Sequence, residues 1–246
     1  MKFTEIFSSV QGEGALIGVR QLFIRLAGCN LRCAYCDTVE AFDTPEKAVI
    51  FDIDGSGDFE EVPAEQTAEE IAKEITLLFN SAPHHSVVIT GGEPMCQTKE
   101  VDELIDLLRE EEIKTFLETN ATLFEELEDM KNFPDYISAD IKLVSVSRLE
   151  NNFLEEHLKF LAIANKRLRK SENLFVKIVF DKASEDELEM VCEKLPNYVE
   201  LLYLQPVTDS SVRFTAYDLL TAQSIAGKYI KDVRVIPQVH RLMDLK

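Results

Sequence analysis

No run of about 18 apolar residues occurs in the chain, so no membrane-spanning helix is expected. The opening residues, Met1-Lys2-Phe3-Thr4-Glu5, reach an acid before an apolar export core can begin, which argues against secretion and makes a cytoplasmic protein the expectation. Basic residues are scarce. Lys and Arg number 26 against 45 Asp and Glu, a net charge of −19, so a phosphate backbone meets no matching surface and nucleic acid is excluded as a partner. Blocks such as Arg109-Glu110-Glu111-Glu112 and Glu125-Glu126-Leu127-Glu128-Asp129 read as solvated helix faces, the other reading being an acidic docking face for a basic partner. The chain also lacks internal repeats, low-complexity tracts and any compositional break. Its 246 residues are therefore expected to form one domain, long enough to bury a full core.

Short β-rich runs alternate with amphipathic helices after residue 66. Thr67-Ala68-Glu69-Glu70 is a capping box opening a helix whose apolar stripe is Ile71, Ile75, Leu78 and Phe79. A strand near Val87–Ile89 and a helix carrying Val101, Leu104, Ile105 and Leu108 follow. Further strands are predicted near Thr115–Leu117, Tyr136–Ser138, Phe175–Phe180, Val199–Leu204 and Val233–Ile236, and Gln21–Leu26 supplies an earlier one. Helices are expected near Leu123–Met130, over roughly 151–169, and from about Ser184 and Thr215, with Ser184-Glu185-Asp186-Glu187 as a second capping box. Strands separated by helices imply a parallel sheet with crossover connections. The fold class is α/β, an incomplete (β/α) barrel of about six or seven mostly parallel strands, because a full eight-unit barrel typically needs about 250 residues with none to spare. Residues 40–66 stand outside this rhythm as an insertion, with 51–58 a hairpin or loop.

Five cysteines is an odd number, so they cannot all pair within the chain. Three lie together as Cys29-Asn30-Leu31-Arg32-Cys33-Ala34-Tyr35-Cys36, directly after a predicted strand, while Cys96 and Cys192 read as small buried apolar side chains. Thiolates at C-x3-C-x2-C spacing can converge on one iron–sulfur cluster from a single loop. Ordinary electron-transfer clusters take four cysteines. Three leave one iron for a small chelating molecule, and the amino and carboxylate groups of S-adenosylmethionine (SAM) suit that position. Structural zinc is the competing reading, but it wants four ligands. No fourth Cys or His stands close in sequence, and His84 and His85 read as turn caps.

The cysteine spacing, with Tyr35 before the last cysteine and Thr90-Gly91-Gly92-Glu93-Pro94 after a strand, resembles the radical SAM superfamily. Within it, Glu5–Gly14, Arg25–Leu31, Cys36-Asp37-Thr38, Glu118-Thr119-Asn120 and Gln238-Val239-His240-Arg241 look like the 7-carboxy-7-deazaguanine synthase family. The resemblance implies a 4Fe–4S cluster on Cys29, Cys33 and Cys36, SAM and Mg2+ as cofactors, and a small pterin as substrate. It implies that SAM is split to a 5′-deoxyadenosyl radical that takes a hydrogen from C6 of 6-carboxy-5,6,7,8-tetrahydropterin, giving 7-carboxy-7-deazaguanine and ammonia. Tyr35, Asp37, Gly92, Ser138, Asp140 and Gln205 would then contact SAM. Val10, Gln11, Gly12, Arg25, Thr90 and Lys246 would contact the pterin, Arg25 through a two-pronged grip on its carboxylate. Thr38 would help hold Mg2+, or simply cap the loop. A flavodoxin- or ferredoxin-type reductant and a homodimer are implied as well. The family's Ser-Pro-Lys is Ser138-Ala139-Asp140 here. The 40–66 insertion is expected beside the cluster, where a reductase would dock, and its acids, Asp52, Asp54, Asp58, Glu60 and Glu61, point to an altered choice of reductant. A glycyl-radical activating enzyme, an iron–sulfur electron carrier and a zinc-stabilised module are the alternatives.

Overall fold

A computed structural model describes residues 1–208 and 212–245. Ten strands join one sheet: β1 (Phe3–Val10), β2 (Arg20–Leu26), β3 (Lys47–Phe51), β4 (Phe59–Pro63), β5 (Val87–Gly91), β6 (Thr115–Thr119), β7 (Tyr136–Ile141), β8 (Leu174–Phe180), β9 (Leu201–Pro206) and β10 (Asp232–Val235). The helices are α1 (Ala68–Asn80), α2 (Thr98–Glu110), α3 (Phe124–Asp129), α4 (Val144–Ser147), α5 (Leu154–Arg167), α6 (Glu185–Lys194), α7 (Ala216–Ala226) and α8 (Val239–Leu242). The sheet order is β10-β9-β8-β7-β6-β5-β2-β1-β3-β4. From β2 through β5 to β10, every neighbouring pair is parallel. That run is the predicted seven-stranded α/β layer. β1 joins it antiparallel to β2, and the β3–β4 hairpin extends the same edge.

Local chemistry starts α1 as expected: Thr67 Oγ1 accepts from Glu70 N at 3.2 Å, and Glu70 Oε2 accepts from Thr67 N at 2.9 Å. The second expected box does not form. Ser184 spends its hydroxyl on Asp181 O. Glu187 accepts instead from Val144 N and Ser145 N, both at 2.8 Å, satisfying the open N–H groups at the start of α4. An N-cap pattern therefore served a different helix from its own. A capping box does form at α7, between Thr215 and Asp218.

The two sheet faces have different tasks. One carries the main core, where Ile24, Ile89, Leu117, Ile137 and Ile178 pack with the helices. The other carries a smaller buried cluster of its own. Phe7, Phe23, Val88, Phe116 and Tyr136 are successive register partners across five strands on that face, and Phe7 stacks on Phe23 at 5.0 Å. Side chains two residues further along a strand share its face. Above this aromatic floor the sequence therefore sets polar groups: Arg25, Thr90, Glu118, and Ser138 with Asp140. On β8 and β9 the same alternation presents Lys177 and Gln205. Period-two patterning builds an apolar base with a polar rim.

The insertion is a hairpin whose tip lies away from that rim. Arg20, the first residue of β2, donates to Ile53 O, whereas the cysteine loop follows Leu26 at the strand's other end. Seven strand residues separate the two ends by about 20 Å. The acids at Asp52, Asp54 and Asp58 thus have no place beside Cys29, which removes the reason to tie them to the choice of reductant.

Candidate active site

The polar rim and the loop after β2 enclose one cavity. Cys29, Cys33, Cys36, Tyr35, Asp37, Thr38, Gly92, Ser138, Asp140, Gln205, Val10, Gln11, Gly12, Arg25 and Thr90 all line it. Every sequence-predicted site residue within the described part of the chain is therefore brought to one place. Lys246 lies outside the described residues.

Backbone contacts fix the cysteine loop. Gly28, at φ 92°, opens it; its N–H donates to Ala41 O at 2.7 Å, and its carbonyl accepts from Glu93 N at 2.7 Å. Ala34 N donates to Ser147 O at 2.8 Å. A Cβ on Gly92 would lie 2.1 Å from Gly28 O, so the Gly-Gly turn is demanded by the close approach of β5's end to this loop. Side chains add a strap: Asn120 Nδ2 donates to Asn30 Oδ1 at 2.8 Å, and Asn30 Nδ2 donates to Thr122 Oγ1 at 2.9 Å. Glu93 is wholly buried and joins β5 to β6, accepting from Thr119 Oγ1 (2.7 Å), Asn120 N (2.7 Å) and Met95 N (3.0 Å). These bonds counter only part of the burial effect, and its carboxyl stays above the ordinary value.

The three loop cysteines are free thiols, and burial pushes Cys29 up to about 11. Such thiols are poor nucleophiles alone, but a cationic iron core favours their thiolates. The cavity also holds two buried polar atoms without hydrogen-bond partners, Tyr35 Oη and Asp140 Oδ1. Buried polar atoms are ordinarily satisfied. Three convergent thiols with two orphaned oxygens suit a cluster and a polar cofactor.

A chain of charges runs along the rim. Asp140 Oδ2 takes Lys142 at 2.8 Å and Lys177 at 3.3 Å. Lys177 also pairs with Glu13. Gln238 Nε2 donates to both Glu13 Oε1 (2.7 Å) and Asp37 Oδ2 (2.9 Å), and Arg241 meets Asp37 at 3.3 Å. Burial works against the charges on Glu13 and Asp140, yet Lys177 holds Glu13, and Lys142 with Lys177 holds Asp140, below the ordinary carboxyl value. Burial and the nearby Glu13 push Glu118 upward; Gln11 Nε2 donates to its Oε1 at 2.9 Å. Arg25 faces the cavity, its Nε on Glu5 Oε1 at 2.7 Å and its guanidinium 5.5 Å from the Phe7 ring centre.

Thr38 does not act as a helix cap, and its hydroxyl lies 3.7 Å from Cys36 Sγ. Nearby, Glu13, Asp37 and His240 bring one potential ligand atom each within 4.8 Å of one another, although both carboxylates already serve Lys177, Gln238 and Arg241. Cys96 departs from expectation: it is exposed, because the short turn 94–97 carries it outward, whereas Cys192 is buried in the core. His84 does cap its turn through Phe79 O, and its Nε2 also meets Ser8 Oγ at 2.9 Å.

Sequence reasoning assigned no role to Glu13, Glu93, Glu118, Lys142, Lys177 or His240, all of which line the cavity. A signal existed for Lys177, a lone charge inside the apolar run Phe175–Phe180, and for Glu118, a charge directly after the apolar pair Phe116-Leu117.

Comparisons with known proteins agree with this geometry. The Radical SAM superfamily model matches residues 23–195. The chain is 38% identical to a 7-carboxy-7-deazaguanine synthase of Geobacter sulfurreducens, over 97% of this chain and 95% of the relative. It is 36% identical to that of Methanopyrus kandleri, over 98% and 92%. The crystal structure of QueE from Escherichia coli superposes with a TM-score of 0.64 at 22% identity, covering 97% of this chain and 94% of that one, and so shares the fold.

Proposed function

Because the chain belongs to the 7-carboxy-7-deazaguanine synthase family of the radical SAM superfamily, we propose that it is the lyase converting 6-carboxy-5,6,7,8-tetrahydropterin to 7-carboxy-7-deazaguanine with loss of ammonia, a step toward 7-deazapurines such as queuosine. The observation that carries the reading is the meeting of three free thiols with the orphaned oxygens of Tyr35 and Asp140 in one cavity.

The 4Fe–4S cluster and SAM, when bound, supply the electron and the carbon-centred radical. The protein's own groups do the remaining work. Cys29, Cys33 and Cys36 hold the cluster. Tyr35, Asp37, Gly92, Ser138, Asp140 and Gln205 receive SAM. Val10, Gln11, Gly12, Thr90, Arg25 and Lys246 receive the pterin, with Arg25 pre-oriented by Glu5 to grip a carboxylate in two-pronged fashion. Glu118, on the same face two strands away, offers a carboxylate to the N–H edge of the pterin ring. The aromatic floor excludes water from the face the ring would rest on. The Thr38 hydroxyl, which makes no cap bond, would be one oxygen ligand for Mg2+, a hard cation that would polarise substrate oxygens there. We read residues 1–246 as one catalytic domain, cytoplasmic and homodimeric, reduced by a flavodoxin- or ferredoxin-type protein.

Mass spectrometry of an anaerobic reaction with reductant, SAM and the carboxylated tetrahydropterin tests this. A deazapurine acid is expected. SAM cleavage without that product would place the chain on another substrate, and no cleavage at all would leave an electron carrier or a zinc-stabilised module.

A further inference from the structure

Lys142 has no part in the assignments above, yet it is a buried cation placed against the cysteine loop, whose own Arg32 is exposed. Its side chain is buried, and it lines the cavity together with Cys29, Cys33 and Cys36. Its ammonium stands 5.3 Å from the centre of the Tyr35 ring, and Tyr35 lies between Cys33 and Cys36. Such a cation over a ring face is held in place as well as charged.

Its position is fixed from behind. Lys142 N donates to Nε2 of the fully buried His157 at 3.1 Å, and the other ring nitrogen, Nδ1, donates to Ala121 O at 3.1 Å. Ala121 sits in a left-handed turn (φ 54°) between Asn120 and Thr122, the two residues that strap Asn30 of the cysteine loop. One imidazole thus sets the distance between Lys142 and that loop.

The local charge balance is uneven. Lys177 has two acid partners, Glu13 and Asp140, whereas among the described residues Lys142 pairs only with Asp140, which it shares. Burial opposes the Lys142 charge, but Asp140 more than compensates and keeps it protonated.

We propose that Lys142 sets the reduction potential of the cluster held by Cys29, Cys33 and Cys36, its fixed positive charge favouring the one-electron-reduced form. That form carries one more negative charge than the oxidised one, and a nearby cation in a poorly screened site stabilises it preferentially. The electron comes from the external reductant, and Lys142 neither gains nor loses a proton. The inference rests on the family reading above.

The test is a redox titration of the reconstituted protein with dithionite, followed by electron paramagnetic resonance without SAM. Lys142→Met is expected to move the midpoint to more negative potential, Asp140→Asn to move it the other way, and Lys142→Arg to leave it near wild type. Loaded variants with wild-type midpoints would overturn the proposal, as would a Lys142→Met effect seen only after SAM is added, which would make Lys142 a SAM ligand. Should Lys142→Met fail to load, Asp140→Asn decides alone: an upward shift supports the proposal and an unchanged midpoint overturns it. A wild-type protein that forms no cluster would defeat the family reading instead.

Discussion

Asn120 and Asn30 lie 90 residues apart and share a side-chain hydrogen bond of 2.8 Å, which joins the end of β6 to the loop carrying Cys29. Asn30→Ala removes this bond and the one to Thr122, leaving Asn120 with an unmet donor. Loss of such a partner typically costs about 1–3 kcal/mol. Urea unfolding of the metal-free protein should show a fall of that size, and iron per chain after reconstitution should drop. An unchanged iron content would show that the strap does not hold the loop.

Gly92→Ala places a methyl 2.1 Å from Gly28 O and 3.0 Å from Ala41 O, both backbone atoms that cannot swing aside. Overpacking of this kind costs roughly 1–3 kcal/mol. The displaced turn should weaken SAM binding by about tenfold or more, the equivalent of about 1.4 kcal/mol. Equilibrium dialysis with SAM checks this; wild-type affinity would mean that β5's end does not shape the SAM site.

Much of this was legible in the sequence. The seven parallel strands follow from apolar runs separated by amphipathic helices, and the three cysteines declare themselves by spacing. β1, β3 and β4 were not legible as sheet. In β1, residues of both faces are buried, so alternation is blurred, and Phe59-Glu60-Glu61 in β4 is an exposed edge with little apolar signal. The rim's charge chain was hidden for a different reason. Glu13, Asp37, Asp140, Lys177 and Gln238 come from five separate segments; strand register pairs Asp140 with Lys177, and three loops bring the others to them. The Ser184 box failed because Glu187 found better-placed donors across the fold.

Arg25→Lys keeps the charge and loses the fork. Its Nε is already committed to Glu5 at 2.7 Å, which orients the guanidinium as an ammonium could not be oriented. The KM for the carboxylated pterin should rise by about tenfold or more, equivalent to about 1.4 kcal/mol, with SAM affinity unchanged. Steady-state kinetics that show an equal loss of SAM binding would remove Arg25 from the pterin end of the site.

His157 gives the fold a specific acid sensitivity. Burial pushes its pKa down to about 4, against 6.5 for an ordinary histidine. Between those values the unfolded chain binds a proton that the folded chain refuses. Stability is therefore lost as pH falls from about 6.5 toward 4, by about 3 kcal/mol in all. His157→Gln cannot titrate, so its unfolding free energy should fall less steeply over that window, although it starts lower at pH 7. Parallel slopes in urea titrations would show that His157 is not neutral in the fold.

The most direct measurement is the electron paramagnetic resonance spectrum of the reduced, reconstituted protein before and after SAM is added, read beside its iron content. About four irons per chain are expected, with a signal that changes shape on adding SAM and is lost in Cys33→Ala. A full-strength signal indifferent to SAM, or a folded protein that takes up no iron, would contradict the three-cysteine cluster site.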